Sequence, residues 1–251
     1  MLSTATQFVP LADYAAQFML IVARLSFPVF FMPGIGENAV PARVRVFLLL
    51  GLAVAFASTG VVGAVDFMPI GNYLTLMLGE IFIGFVLGVS LRIAIWLLSI
   101  VGAIVAQSIG LSQFLGVALD NEAQTITANI LSMAGVALLL TMNYHVEAFV
   151  ALLGLYSDIP VGGYELLNQS FYLKSIFASL GFAVALAWPF VAVNLIYNIC
   201  LGFINKALPQ LMVAFVGAPF LVGAGLFMLA ISIMSLLIVW ADHVVDLVGW
   251  I

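Results

Sequence analysis

Charged side chains are scarce in this 251-residue sequence, at 7% of the chain, against roughly 25% in ordinary soluble proteins. The apolar residues, 65% of the total, leave too few polar groups to cover the surface of a soluble protein. Because lipid cannot hydrogen-bond to the backbone, such a chain must span the membrane as helices or as a closed barrel. The alternation of apolar and polar residues that marks barrel strands is absent, so the sequence predicts an all-α polytopic membrane protein.

Further deficits argue against other classes of function. The six basic residues are scattered and the net charge is −5, so we expect no binding to nucleic acid. One cysteine, Cys200, excludes an internal disulfide and a thiolate metal cluster, and two histidines supply too few ligands for an ordinary metal site. The signatures of common nucleophilic, phosphate-binding, zinc and dinucleotide sites are missing. We therefore expect no enzyme activity, no cofactor and no metal.

Charged and turn-forming residues divide the chain into about six apolar segments. The third, fifth and sixth segments each exceed the roughly 20 residues that cross a bilayer core, so we expect them to tilt, break or continue into protein. Pro189 and Pro219 favour kinks in the last two segments, and polar residues at 143–147 interrupt the fourth. Without a repeat or linker, we expect one domain over residues 1–251. The segments are residues 14–32, 46–65, 73–109, 126–155, 175–205 and 207–241.

Small residues and asparagines recur at spacings of four, which places them on one helix face and lets helix backbones approach closely. This pattern predicts helix packing, either within the chain or against neighbouring subunits, and the spacing does not separate the two. The residues are Gly84, Gly88, Gly102, Ala106, Gly110, Asn194, Asn198 and Gly202.

Glu80 and Arg92 are the charges most clearly inside an apolar segment, where burial is costly and a charged group is usually paired or functional. They are 12 positions apart, which is roughly 18 Å along one helix, so they cannot pair with each other. We expect both to be buried, with partners on other segments or subunits. A structural ion pair is favoured over a proton relay.

Short proline, glycine and arginine motifs are spread in order over nearly the whole chain. They include Arg24, Pro33, Pro41 and Arg43 near the start, Gly79-Glu80 and Asp158 to Gly162 in the middle, and Pro209, Gln210, Gly217 and Pro219 near the end. The ordered set resembles the FliR/SctT family of bacterial type III export-gate proteins.

The resemblance implies a subunit of a hetero-oligomeric flagellar export gate in the bacterial inner membrane, within the flagellar basal body. Its implied partners are the gate subunits FliP and FliQ, the FlhB subunit at the cytoplasmic entrance, and the unfolded flagellar proteins that pass through the pore. Members of the family carry broken, hairpin-like helices packed on protein, which would account for the overlong apolar segments. The alternatives are the homologous gate of a virulence injectisome and a small-solute carrier that uses Glu80 and Arg92.

A glycine-flanked apolar stretch at residues 109–120 follows the third segment. Exposed connecting loops are usually polar, so the residues by themselves favour a loop tucked into its own bundle. The resemblance implies instead that this stretch is the family's pore-plugging loop, which would exclude water and ions until an exported chain displaces it. The plug residues are Gly110, Leu111, Phe114, Leu115 and Gly116.

Overall fold

The computed structural model describes residues 2–37, 39–60, 62, 69–110, 120–207 and 213–248, and this part of the chain is helical without strands. It contains seven α-helices and one short 3-10 helix. The expected all-α fold class is confirmed. The α-helices are α1 (Leu2–Phe31), α2 (Ala42–Ser58), α3 (Ile70–Ser108), α4 (Asp120–Thr141), α5 (Tyr144–Asp158), α6 (Gln169–Ala207) and α7 (Val213–Val248), and the 3-10 helix is Tyr164–Leu166.

Several helices are long and apolar enough to cross a membrane. Two more, α4 from Ile126 and α5, pass that test only together and are bent by 69° at the break between them. The described residues therefore supply four candidate spans, or five if the bent pair counts as one. The four single spans are Asp13–Phe31, Ile70–Ser108, Ser170–Ala207 and Gly217–Asp246.

The second apolar segment differs from its prediction. A segment with the length of one span was expected over residues 46–65, but α2 ends at Ser58 and has 17 residues, which is at the lower end of the about 17–25 residues that cross a bilayer core. The end has a local cause, because the hydroxyl of Thr59 donates to the carbonyl of Phe56 at 2.6 Å. Gly60 then adopts a φ of +68°, a left-handed conformation that ends helices and favours glycine.

The expected interruption of the fourth segment is confirmed as a break between α4 and α5. Asn143 lies at the break with a φ of +57°, a left-handed conformation that asparagine tolerates better than most residues. By contrast, α6 and α7 continue as helices through Pro189 and Pro219.

The chain divides into two compact units. In the first unit, α1 and α3 pack closely and supply much of the core. Gly84 and Gly88 make the close approach possible, since a Cβ at Gly88 would lie 2.7 Å from the carbonyl carbon of Phe27. The fully buried core side chains of this unit include Leu20, Ile21, Leu25, Ile83 and Leu87. The unit comprises Met1–Ile93, Leu139–Ser175 and Val245–Ile251.

The second unit comprises Ala94–Leu138 and Ile176–Val244. Its core contains Trp240, which is fully buried and whose indole Nε1 donates to the carbonyl of Ala94 at 2.9 Å. That bond satisfies the polar group of a large buried aromatic side chain. The expectation of a single domain stays a prediction.

Candidate functional site

Arg24 on α1 and Glu80 on α3 form a buried ion pair in the first unit, with 1% and 0% of their side chains exposed. The contact is bidentate: Arg24 Nε donates to Glu80 Oε2 at 2.5 Å, and Nη2 donates to Oε1 at 3.0 Å. Parallel charge-assisted bonds of this kind are the strongest hydrogen bonds in proteins. Such geometry is required here, because both charges have lost their hydration.

The turn after α5 completes the coordination of this pair. Arg24 Nη1 donates to the carbonyl of Ile159 at 2.8 Å, and Nη2 donates to that of Pro160 at 3.3 Å. On the other side, the backbone N–H of Gly162 donates to Glu80 Oε1 at 3.0 Å. Gly162 adopts a φ of +82°, which favours glycine at this position. The motif at residues 158–162 therefore has a structural role, since it is bound to α1 and α3 through the ion pair.

Aromatic rings cover the Arg24–Glu80 pair and its backbone partners, which together form the charge centre of the first unit. The Arg24 guanidinium carbon lies 4.0 Å from the ring centroid of Tyr156 on α5, within cation–π distance. Phe56 on α2 packs edge-on against the same ring, with centroids 6.2 Å apart. Because its charges bind groups of the same chain and its faces are covered, the centre is suited to holding four helices together rather than to binding a substrate.

Arg92 has a different partner and a different environment. Its Nη1 donates to Oε1 of Glu37, in the loop between α1 and α2, at 2.5 Å. The two side chains are 19% and 28% exposed, so Arg92 is only partly buried. Arg45 holds the same loop, because its Nη2 donates to the carbonyls of Glu37 at 2.6 Å and Val40 at 2.9 Å. Two arginines thus fix the loop.

The sequence indicated neither of these partners. Glu80 stood out as a charge in an apolar segment, but its partner was left open among other segments and subunits. The available signal was the sign of the charge on Arg24, which also lies inside an apolar segment. Glu37 carried no such signal, since it lies among turn residues outside the segments.

The glycine stripe of α3 packs against helices of the same chain. A Cβ at Gly84 would overlap the carbonyl oxygen of Arg24, and a Cβ at Gly102 would lie 2.5 Å from the Cα of Ala128 on α4. Ala106 is also buried. Of the two readings that the spacing left open, packing within the chain is the one that these contacts show.

Asn194 and Asn198 on α6 line a cavity instead of a helix contact. This cavity has a volume of about 370 Å³ and lies in the second unit, where it is formed by α3, α6 and α7. Asn198 Nδ2 donates to Asn194 Oδ1 at 2.8 Å and to the carbonyl of Asn194 at 2.9 Å. The lining residues are Gln107, Ser108, Ile109, Gly110, Asn194, Tyr197, Asn198, Leu201, Ala218 and Leu221, and none of them is charged.

The remaining motif residues are placed as follows. Pro33 is buried, Pro41 is exposed and occupies the N-cap position of α2, and Arg43 is exposed in the first turn of that helix. Gly217 faces the hydroxyl of Tyr197, which a Cβ would overlap. Pro219 is exposed on α7. Pro209 and Gln210 lie outside the described residues.

Gly110 ends the described part of the chain after α3, with a φ of +71°. The other plug residues, Leu111, Phe114, Leu115 and Gly116, lie outside the described residues. The structure also places no group of three or more histidine, cysteine, aspartate or glutamate side chains where they could hold a metal, within the residues that it describes.

A comparison with known protein families shows which family this chain belongs to. The family described as "Bacterial export proteins, family 1" matches residues 15–247. The chain belongs to this family. The matched residues contain the Arg24–Glu80 and Arg92–Glu37 ion pairs and every described lining residue of the cavity. These features therefore all lie within the part of the chain that defines it as a bacterial export protein.

Three relatives of this bacterial export protein share one name. The flagellar biosynthetic protein FliR of Caulobacter vibrioides is 29% identical over 230 residues, which cover 89% of this chain and 91% of that protein. The Aquifex aeolicus protein of the same name is 26% identical over 93% of this chain and 92% of its own length. FliR of Escherichia coli K12 is 29% identical over 84% of this chain and 81% of its own length.

Proposed function

We propose that this chain is the subunit of a flagellar export gate that assembles with FliP and FliQ in the bacterial inner membrane, within the flagellar basal body. The observation that carries the proposal is the similarity to flagellar FliR proteins over about nine tenths of both chains. In this function the chain forms part of the pore for unfolded flagellar proteins, with FlhB at the cytoplasmic entrance. It is a conduit component and catalyses no reaction.

The length of the helices supports an assembly larger than one chain in lipid. Helix α6 has 39 residues, which corresponds to about 58 Å at 1.5 Å per residue. The hydrocarbon core of a bilayer is only about 30 Å thick. A tilt alone would have to be extreme to bury such a helix, so part of its length must pack on protein or reach beyond the core.

The distribution of apolar surface supports the same proposal. In the most apolar parts of α6 and α7 only 22% of residues are buried, compared with 56% in α3. Large apolar side chains are exposed along both helices, including Phe177, Trp188, Phe203 and Phe227. Surface of this extent is covered by lipid, by other subunits, or by both, and FliP and FliQ are the subunits that we propose.

Co-expression tests the proposed assembly. Expressed alone, the chain is expected to aggregate or be degraded, because its apolar surface exceeds what its own helices cover. Co-expression with FliP and FliQ of the same organism should yield a detergent-stable complex in size-exclusion chromatography with light scattering. Co-expression with an unrelated polytopic carrier is the control. A long-lived, monodisperse monomer purified without partners would contradict the proposal.

We also propose, from the family resemblance, that residues 111–117 plug the closed pore. Deleting them should leave assembly with FliP and FliQ largely intact and raise the ion conductance of the closed complex, since an apolar constriction blocks ions by excluding water. Phe114→Ala should produce a weaker leak of the same kind. Single-channel recording on reconstituted complexes provides the measurement, and unchanged conductance after the deletion would remove the plug assignment.

A small-solute carrier has less support than an export gate. Such a carrier would need the charges within its spans to bind solute, but Glu80 already binds Arg24 and Gly162, and Arg92 binds Glu37. Deletion of the gene separates the two functions. Loss of secreted flagellar proteins supports the export gate, whereas normal secretion with altered uptake of a solute supports the carrier.

A further inference from the structure

We propose that the polar cavity of the second unit binds the main chain of an extended polypeptide in transit, through the side-chain amides of α6 and the end of α3. The inference rests on the proposed export function and extends it by naming a contact site for the exported chain. The cavity's volume of about 370 Å³ falls within the usual range for ligand sites in proteins.

The cavity is lined by many polar side chains, whereas the exposed surfaces of the surrounding helices are mainly apolar. Half of its described lining residues carry amide or hydroxyl side chains, although they lie on helices rich in exposed apolar residues. Polar groups on membrane-spanning helices are costly, and they usually mark a path for a polar solute. An acyl chain would offer no hydrogen-bond partner to the Oδ1 of Asn198 or the Nδ2 of Asn194, so a lipid tail does not fit the lining. The polar lining residues are Gln107, Ser108, Asn194, Tyr197 and Asn198.

The described lining residues carry no charge, and this limits the classes of ligand that the cavity can bind. Phosphate groups and carboxylates are held in proteins by arginine, by lysine or by helix N-termini, and the described lining residues include none of these. Metal sites in proteins are built mainly from carboxylates, imidazoles or thiolates, and none of the described lining residues carries one of these groups. Neutral amides and hydroxyls match a neutral ligand that both donates and accepts, and peptide groups have this character.

Asn194 and Asn198 each have a side-chain group that is available to hydrogen-bond a ligand. Asn198 Nδ2 donates to both the Oδ1 and the carbonyl oxygen of Asn194, which leaves the Oδ1 of Asn198 and the Nδ2 of Asn194 without a partner in the described part of the chain. One residue of an extended main chain presents an N–H and a C=O. The unused acceptor and donor of this asparagine pair complement those two groups.

Gly217 and Gly225 on α7 set the shape of this site. A Cβ at Gly217 would overlap the hydroxyl of Tyr197, and a Cβ at Gly225 would overlap the side chain of Ile109. Both glycines therefore let α7 approach the lining residues while the cavity stays open. The family motif at residues 217–219 borders the site for this reason, since Ala218 lines it directly.

Main-chain recognition also suits a pore that passes many different sequences. Peptide groups are the same in every protein, so binding them is independent of sequence. A conducting site must bind strongly enough to admit its cargo and weakly enough to release it. Neutral hydrogen bonds are individually weak, and the described lining residues, which are uncharged, offer only these.

Disulfide crosslinking tests the site in the assembled complex with FliP and FliQ. Leu201→Cys places a thiol in the cavity lining, and Phe203→Cys, on an exposed part of the same helix, is the matched control. Both carry Cys200→Ser, because the native thiol is exposed nearby. The probe is an exported flagellar protein with single cysteines at successive positions, stalled in the pore by a folded domain fused to its C-terminus.

The cavity thiol is expected to crosslink to several neighbouring positions of the stalled chain, and the Phe203→Cys thiol to few or none. Adding Asn198→Leu should lower that crosslink yield about fivefold, the factor for one ordinary hydrogen bond. Asn198→Gln keeps an amide and should restore most of the yield. Equal crosslinking from both thiols, or a yield unaffected by Asn198→Leu, would overturn the inference.

Other occupants would give different results. If Asn194→Leu together with Asn198→Leu prevents co-purification of FliP or FliQ, the amides bind a partner subunit and the inference is overturned. If stalled chains crosslink elsewhere on this protein but not at the cavity, the inference fails while the proposed function stands. If export continues without this protein, the proposed function fails.

Discussion

Arg24→Met is expected to lower the free energy of unfolding by about 3–5 kcal/mol, the typical cost of removing one partner of a buried ion pair. The substitution leaves the Glu80 carboxylate 0% exposed with the Gly162 N–H as its remaining donor. It also takes a donor from the carbonyls of Ile159 and Pro160, although the carbonyl of Pro160 still accepts the N–H of Gly163 at 2.9 Å. We expect the yield of the complex with FliP and FliQ to fall with the stability, as measured by SDS titration of the purified complex.

Two variants separate this effect from a general loss of charge. Arg92→Met breaks a pair that is 19% and 28% exposed, so its cost should be about 0–1 kcal/mol. Arg24→Met combined with Glu80→Leu removes both charges, and it should recover much of the stability that Arg24→Met loses. If Arg24→Met proved no worse than Arg92→Met, the charge centre would not have the structural role described above.

Gly84→Ala is expected to destabilise the chain by roughly 1–3 kcal/mol, as overpacking in a close-packed interior does. The added Cβ would overlap the carbonyl oxygen of Arg24. A backbone atom cannot rotate away as a side chain can, so α1 and α3 would have to separate. The bidentate contact with Glu80, which depends on the same residue of α1, would lengthen as a result.

Gly181→Ala on α6 is the matched control for that substitution. A Cβ at Gly181 would meet nothing within 4 Å, so the change should raise helix stability by about 0.5–1 kcal/mol. The same SDS titration compares the two variants, and both change one hydrogen atom to a methyl group. Equal stability of Gly84→Ala and Gly181→Ala would show that the contact between α1 and α3 is less close than the structure describes.

The fold class could be predicted from the sequence because composition alone decides it. Lipid forces nearly every apolar segment into a helix, and the interruption around Asn143 shows as a break in the fourth segment. The length of α2 was predicted less well, since Thr59 and Gly60 end the helix inside a stretch whose hydropathy continues.

The charge centre could be predicted only in part. The cost of burying an isolated carboxylate in an apolar segment points to a partner for Glu80, but hydropathy carries no information on which segments are neighbours. Arg24 and Glu80 are 56 positions apart, and Arg24 and Ile159 are 135 apart. The cavity had no sequence signal of its own, because it joins residues of three helices that are far apart in the chain.

The positions of these partners along the chain also set an order of events during synthesis. Arg24 is translated first and Glu80 next, so the two opposite charges can combine into a neutral unit as soon as α3 enters the membrane. From Ser108, where α3 ends, the ribosome needs roughly 3–10 s more to reach Ile159 at about 5–20 residues per second. During that interval α1 and α3 can already join, and the turn at residues 159–162 is made last and closes the centre around the charge pair.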